Sequence, residues 1–332
     1  MRILLWHVHG GWTDAFVRGG HTYVLPTRPE GGPWGLGRAG RDWPGTVLEV
    51  PPEELAEADI DVVVLQRVEE LAECERLLGR TPGRDLPAVF VEHNTPRRDT
   101  VGTIHALADQ RDVPVIHVTH FNELFWDSGR ARTTVIEHGI VDPGYLYTGE
   151  LQQLAAVINE PVRRGRITGT DLLSRFAGVA PLEVFGMGTD ALGDALDLDP
   201  TELRIGGDLP TARLHARLGR SRAYVHPLRW TSLGLSLLEA MHIGLPVLAL
   251  ATTEASRAVP DGAGAISTRV EDLLRMAARL IADPDEARAR GLAAREAALA
   301  HYGLGRFLAD WDDVLDAESS RLRSPVMEGR AQ

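Results

Sequence analysis

Histidine, glutamate, glutamine and arginine recur at one kind of place in this 332-residue chain, directly after short apolar runs. The runs ILLWHV (3–8), DVVVLQ (61–66), AVFVEH (88–93), PVIHVTH (114–120) and TTVIEHG (133–139) end on or next to His7 and His9, Gln66 and Arg67, Glu92 with His93 and Asn94, Thr119 and His120, and Glu137 and His138. A second series follows AAVINE (155–160), LEVFG (182–186) and AYVHP (223–227); it comprises Asn159, Glu160, Arg164, Arg166, Gly186, His226 and Arg229. One carboxylate, Glu239, sits inside the apolar stretch LSLLEAMHIG. Carboxylates and amides hold hydroxyls, and arginine forks hold phosphates. Five strands delivering such residues at one edge read as a functional constellation, and a run of ordinary helix caps and turn residues is the alternative. His117 and His120 raise the question of a metal, but on a strand they point to opposite faces, and no metal site is expected.

The elements that must position these residues are legible. Near-continuous apolar strands alternating with helical patterns predict parallel sheets covered on both faces. Ligands of such sheets bind beyond the carboxyl ends of the strands, where the polar residues lie. Strands are also expected at 246–251 and 264–267, and helices at 53–58, 69–79, 103–111, 122–128, 170–177, 211–219, 232–243, 270–282, 285–300 and 305–317. Residues 25–47, dense in Gly, Pro and Trp, read as a mobile loop, and 141–153 as turns. The predicted organisation is α/β: a domain over 1–150, a second over 151–304, and a terminal segment, 305–332, of one helix and a frayed tail. Two sheets with polar strand ends imply a cleft between the domains. At roughly 100–200 residues per domain, the length fits two.

Bulk composition narrows the partners. A hydrophobic content of 44%, charged residues at 25% and a net charge of -12 describe a soluble globular chain and disfavour nucleic acid. The chain contains no lysine, so any phosphate site must use arginine, histidine or backbone N–H groups. The one cysteine, Cys74, forms no internal disulfide, which fits the cytoplasm. No run approaches the roughly 18 apolar residues of a membrane span, and no signal peptide is expected.

In RWTSLGLSLLEAMHIGLPV (229–247), Thr231 or Ser232 is expected to cap a helix that Gly244 and Pro246 end. Gly234 would let a ligand approach the free N–H groups at the helix start. A partly buried Glu239 needs hydroxyl or N–H partners, which a ribose diol supplies. The pair Gly10-Gly11 permits close backbone approach to a phosphate or sugar, but it is not the dinucleotide fingerprint, and a dehydrogenase ranks last.

The stretch GLSLLEAMHIGLPVLAL resembles the donor-binding segment of the family 4 (group 1) retaining glycosyltransferases, whose fold is GT-B, two Rossmann-like domains facing a cleft. The similarity runs in order along nearly the whole chain, through the HGG turn, FVEHN, VIEHGIVDPGYL, RRGRITGTDLLSRF, LEVFGMG and the terminal YGLGRFLADWDDVL. That last segment resembles a helix that crosses back to the first domain. The resemblance implies that Glu239 holds the ribose of a nucleoside-diphosphate sugar and that Arg166 neutralises the diphosphate. It implies that Gly10, Gly11, Gly234 and Leu235 offer backbone N–H groups and that His93 contacts the transferred sugar. Gly186, His226, Thr231 and Ser232 complete the implied donor site. No metal or other cofactor is implied for the chemical step. The implied reaction is transfer of a sugar, a hexose by expectation, to an acceptor hydroxyl with retained anomeric configuration.

Two positions depart from the family pattern. Thr231 stands where the family has a second glutamate, and Asp171 where it has a lysine. The missing cation is expected from Arg229 or Arg164. Gln66, Arg67, Asn94, Arg97 and Arg98 are the acceptor-side candidates by position, with peripheral membrane contact expected only for a lipid acceptor. A non-catalytic nucleotide-sugar binder, or an epimerase or phosphorylase type of enzyme on the same fold, stays open as an alternative.

Overall fold

The computed structural model describes residues 1–97 and 99–323, so the expected tail over 324–332 and the candidate Arg98 lie outside the described residues. Contacts divide the chain into two units, Met1–Gly139 with Leu304–Gln332, and Ile140–Gly303. The division falls before the expected junction near 150, because Ile140 and Tyr147 are buried in the hydrophobic core of the second unit.

The strands of the first unit are β1 (Arg2–Leu5), β2 (Thr22–Pro26), β3 (Val47–Val50), β4 (Val62–Leu65), β5 (Ala88–Glu92), β6 (Val115–His117) and β7 (Thr133–Val135). Those of the second are β8 (Leu151–Val157), β9 (Leu182–Phe185), β10 (Leu203–Gly207), β11 (Ser221–His226), β12 (Val247–Leu250) and β13 (Gly264–Ser267). The α-helices are α1 (Gly10–Phe16), α2 (Glu70–Leu78), α3 (His120–Phe125), α4 (Pro161–Arg164), α5 (Leu173–Ala177), α6 (Leu192–Leu196), α7 (Thr211–Leu218), α8 (Leu235–His242), α9 (Ala255–Ala258), α10 (Val270–Ala282), α11 (Pro284–His301) and α12 (Leu304–Arg323).

Both sheets are parallel, in the orders β3-β2-β1-β4-β5-β6-β7 and β10-β9-β8-β11-β12-β13. Strand order therefore reverses between β1 and β4 in one unit and between β8 and β11 in the other. The carboxyl ends of strands flanking such a reversal are the usual ligand position in open α/β sheets.

The two-residue period of a strand sorts the first core. Ile3, Leu5, Val62, Val64, Val89 and Val91 face one layer; Leu4, Val63, Leu65, Ala88 and Phe90 face the other. The first of these layers is covered by α1 and α12, the second by α2. Helix α12 presents Phe307, Trp311 and Leu315 at the i, i+4, i+8 spacing, with Trp311 5.5 Å from Trp12 and 5.1 Å from Phe16. It runs to Arg323, past the expected end at 317, because its polar last turns are partnered. Glu318 is buried and pairs with Arg132 and, at 2.9 Å, with Arg321, while Arg321 also donates to Asp112 O.

Several elements differ from expectation. A helix, α1, starts at Gly10, where the HGG segment reads as a turn. Residues 22–26 and 47–50 are strands, and the segment between them is pinned: the Arg38 guanidinium donates to the carbonyls of Trp43, Pro44 and Val47, each at 2.7 Å. Residues 103–111 form turns and an isolated bridge, Ile104 to Asp127, instead of a helix. Burial of His105, Leu107 and Ala108 gives that segment its helix-like apolar spacing. His120 opens α3, capped by the Thr119 hydroxyl, and is not on a strand. Edge strand β10 escapes sequence reading because Arg204 and Ile205 are exposed. No helix among the described residues is long and apolar enough to cross a membrane.

Candidate functional site

In the first unit, the polar residues beyond β1, β4 and β5 converge. The rings of His9 and His93 lie 4.0 Å apart, and Trp12 stands edge-on to His93 at 5.3 Å. Gln66 links the strands: its Nε2 donates to Trp6 O at 2.9 Å, and its Oε1 lies 3.1 Å from His93 Nε2. Because the amide nitrogen is spent on a carbonyl, Oε1 must accept, so His93 carries its proton on Nε2. The Nδ1 lone pair of a neutral His93 is then left for a ligand hydroxyl.

Burial keeps this imidazole neutral, with the neighbouring His9 and His138 adding to the effect, and its pKa lies well below the ordinary value. Burial likewise lowers His9 and His117 to about 4 and His138 to about 3. The unfolded chain protonates these rings near pH 6.5 while the folded chain resists. Stability is therefore expected to fall as pH drops from about 6.5 towards 4, by up to about 1.4 kcal/mol per pH unit for each ring. The urea midpoint measured from pH 7.5 to pH 5 checks this. Removing one ring, as in His138→Gln, is expected to make the decline shallower.

Asn94 and Arg97 line a pocket of about 330 Å³ together with Glu92, Thr95, Thr103 and Trp126. Glu92 accepts from Asn94 N at 2.6 Å and meets His105 Nε2 at 3.3 Å. Gln66 and Arg67 do not line this pocket. Arg67 is held on its own strand end by Glu70 at 2.8 Å and stacks over Trp34 at 4.1 Å.

In the second unit, the turn after β8 and the loop after β11 meet. Gly169, at φ +72, lies so close to Pro227 O that no Cβ fits there. The N–H groups of Arg229 and Trp230 donate to Ile167 O at 2.9 and 3.2 Å, closing the same junction. Side chains then converge on Asp171. Arg229 grips it with both nitrogens, at 2.5 Å to Oδ1 and 2.9 Å to Oδ2, and Arg166 reaches Oδ2 at 2.8 Å. The Arg229 guanidinium, with Arg166 beside it, holds the Asp171 carboxyl below the usual carboxylate range. Two arginines and one carboxylate leave the cluster one positive charge. Arg164 ends α4, and Gly186, at φ +123, turns the chain after β9 against Ile158 O.

Helix α8 carries Glu239. The helix starts at Leu235, not at 232, and its N-cap is Gly234 with no side-chain cap, so Thr231 and Ser232 do not cap it. Gly234 abuts the buried His226: a Cβ there would lie 2.6 Å from His226 Cε1. Burial brings His226 to about 4, and its Nδ1 has no partner among the described residues. The Glu239 side chain is 20% exposed, and His215 Nε2 stands 3.6 Å from its Oε2, beyond hydrogen-bond reach. Its carboxylate accepts no hydrogen bond from any described residue. A half-buried carboxylate with open acceptor sites is a place for ligand hydroxyls.

No group of three or more His, Cys, Asp or Glu residues among the described residues is arranged to hold a metal ion. The sequence offers Arg229, like Arg164, as a candidate cation, but it does not reveal the carboxylate that Arg229 grips. The pair is separated by 58 residues, and the Asp171 position alone signals only a lost charge. The pairing of Gln66 with His93 has no local sequence signal either.

Residues 198–297 match the family model for glycosyl transferases group 1. Among solved structures, the chain is similar to the sucrose-phosphate synthase of Thermosynechococcus elongatus, with a TM-score of 0.72 and 14% identity, covering 97% of this chain and 100% of that one. It is similar to HepE of Anabaena in complex with UDP, with a TM-score of 0.69 and 14% identity over 96% and 100%. It is also similar to TarM, with a TM-score of 0.62 and 16% identity over 77% of this chain, and it covers only 54% of the length of TarM. Two parallel-sheet α/β units with these neighbours constitute the GT-B fold. A comparison with curated proteins finds no match.

Proposed function

We propose, from a group 1 glycosyltransferase domain carried on a GT-B frame, that this chain transfers a sugar from a nucleoside-diphosphate sugar to an acceptor hydroxyl with retention of configuration. The observation that carries the reading is Glu239, whose half-buried carboxylate in the middle of α8 accepts no hydrogen bond from any described residue. The 2′- and 3′-hydroxyls of a ribose are two donors at the spacing of two carboxylate oxygens. The binding of UDP by HepE supports a nucleotide ligand on this frame.

The chemistry asks little covalent work of the protein. The bond from the anomeric carbon to the diphosphate oxygen breaks, and the bond to the acceptor oxygen forms on the same face. The acceptor proton passes to the departing diphosphate. The protein must hold the sugar and stabilise the negative charge that grows on the leaving group. Arg166 and Arg229 supply that stabilisation, and the N–H groups at Gly234 and Leu235 add to it. His93, neutral, with its Nε2–H on Gln66, offers Nδ1 to a hydroxyl of the transferred sugar. Gly10 and Gly11 give close backbone approach in the first unit. Thr231 in place of a carboxylate removes one contact with the donor sugar. Asn94, Arg97 and the pocket around them are the acceptor side.

The test is product analysis. Incubation with a panel of nucleotide sugars is expected to release free nucleoside diphosphate only when an acceptor is added, and the anomeric coupling of the product by NMR gives the stereochemistry. Tight binding with no turnover against any acceptor would leave the chain a nucleotide-sugar binder. Acceptor-independent conversion would make it an isomerising enzyme.

A further inference from the structure

The segment between β2 and β3 is built as a rigid strap. Arg38 is spent inside it on three backbone carbonyls, and Arg38 N donates to Glu49 Oε1 at 2.9 Å. Trp43, buried, is wedged into the core beside α1, and its Nε1 donates to Asp14 at 2.9 Å. The His7 ring packs at a tilt against Trp43, 4.8 Å between centroids, and donates from Nδ1 to Gly37 O at 2.8 Å. Between these anchors the chain passes through left-handed backbone at Gly37, Ala39 and Gly40. A non-glycine residue held there costs free energy that the anchors must offset.

The residue this turn delivers is Arg41. Its guanidinium lies against Gly10, beyond the carboxyl end of β1. A Cβ on Gly10 would overlap Nη2 and sit 2.8 Å from Cζ and 3.2 Å from Nε. Arg41 is exposed, and its side chain makes no hydrogen bond or ion pair with any described residue. Its charge is nevertheless felt nearby: with burial as the larger cause, it helps to lower the His7 pKa. An anchored strap holds an unpaired guanidinium in one place, beside the point where strand order reverses. Two other described arginines near this edge are engaged, Arg67 on Glu70 and Arg97 on Asn94.

We propose that Arg41 is an anion-binding residue of the first unit, taking a phosphoryl group at the carboxyl end of β1. A guanidinium fork matches two oxygens of such a group, and a preset position lowers the entropy lost on binding. The chemistry is shared by the diphosphate of a nucleotide donor and by a phosphorylated acceptor. The assignment of Arg41 rests on geometry within the first unit and does not require the transfer reaction.

Calorimetric titration of the full chain with inorganic pyrophosphate and with inorganic phosphate tests this, on the wild type, Arg41→Gln, Arg229→Ala and the double variant. Arg229→Ala weakens the separate arginine cluster of the second unit, so the contribution of Arg41 is read in that background. Arg41→Gln is expected to weaken binding at least about tenfold there, the size of one charge-assisted hydrogen bond, with no change in the melting temperature of the free protein. Loss confined to pyrophosphate identifies a diphosphate ligand, and loss confined to phosphate identifies a monoester. Gly10→Ala, which evicts the guanidinium without removing its charge, is expected to weaken binding in the presence of Arg41 and to add nothing in Arg41→Gln. Identical isotherms with and without Arg41 in both backgrounds would overturn the proposal. Absence of sugar transfer would not, because the binding difference is read without turnover.

Discussion

Glu239→Ala is expected to lower kcat/KM for the nucleotide sugar by about 100-fold, and to act on the affinity for free nucleoside diphosphate by about the same factor. Two charge-assisted hydrogen bonds at about 1.5 kcal/mol each set that size. The carboxylate is held in place by α8, whose Leu237, Leu238, Ala240 and Met241 are fully buried, so it has little freedom to lose on binding. It accepts no hydrogen bond from any described residue, so its removal leaves no described donor stranded. The melting temperature of the ligand-free chain is therefore expected to change little. A large drop in stability with unchanged nucleotide affinity would show Glu239 to be a structural residue paired with His215. Isothermal titration and thermal melting of the same variant separate the two.

Arg229→Ala is expected to have the larger effect on rate, about 100- to 1,000-fold in kcat, the range found when a donor to a developing negative charge is removed. The cluster changes from one net positive charge to none, because Asp171 remains and Arg166 is then its only cation. A lone surface arginine would give almost nothing. The difference lies in the bidentate grip at 2.5 and 2.9 Å, which fixes the guanidinium plane, and in the third contact from Arg229 Nη1 to Arg166 O at 2.9 Å. Arg229→Lys keeps the charge but loses the fork, so it is expected to recover only part of the rate. Asp171→Asn keeps both cations and loosens their geometry. It is expected to tighten nucleoside diphosphate binding at low salt while lowering kcat. Single-turnover kinetics with a saturating nucleotide sugar measure these effects. A rate unchanged in Arg229→Ala would remove the arginine cluster from the mechanism.

Much of this frame is legible in the sequence for a physical reason. A strand buried on both faces is apolar throughout, so the first polar residue marks its end, and in a parallel sheet those ends share one edge. That is why His93, Gln66, Asn159 and His226 can be placed before the fold is known. Glu239 stands out because Gly244 and Pro246 mark where its helix stops. The failures have equally local causes. Thr231 and Ser232 have the chemistry of caps, but the close contact between Gly234 and His226 places the helix start later. The strap around Arg41 is rich in Gly, Pro and Trp and has no periodicity, so it reads as a loose connection. Its order comes from Arg38 and Trp43, whose partners at Val47 and Asp14 lie up to 29 residues away. Asp171 reads as a lost cation because only tertiary structure brings Arg229 to it. Helix α12 is longer than its apolar spacing suggests, since Glu318 is buried against Arg132, which lies 186 residues earlier.

The central claim is that the Glu239 carboxylate receives the ribose hydroxyls of a nucleoside diphosphate. Its most direct test is a comparison of calorimetric affinities for a nucleoside diphosphate and for its 2′-deoxy counterpart, on the wild type and on Glu239→Ala. The deoxy ligand is expected to bind about tenfold or more weakly to the wild type and equally well to the variant, because the interaction lost is the same one. An equal penalty for the deoxy ligand in both proteins would contradict the account.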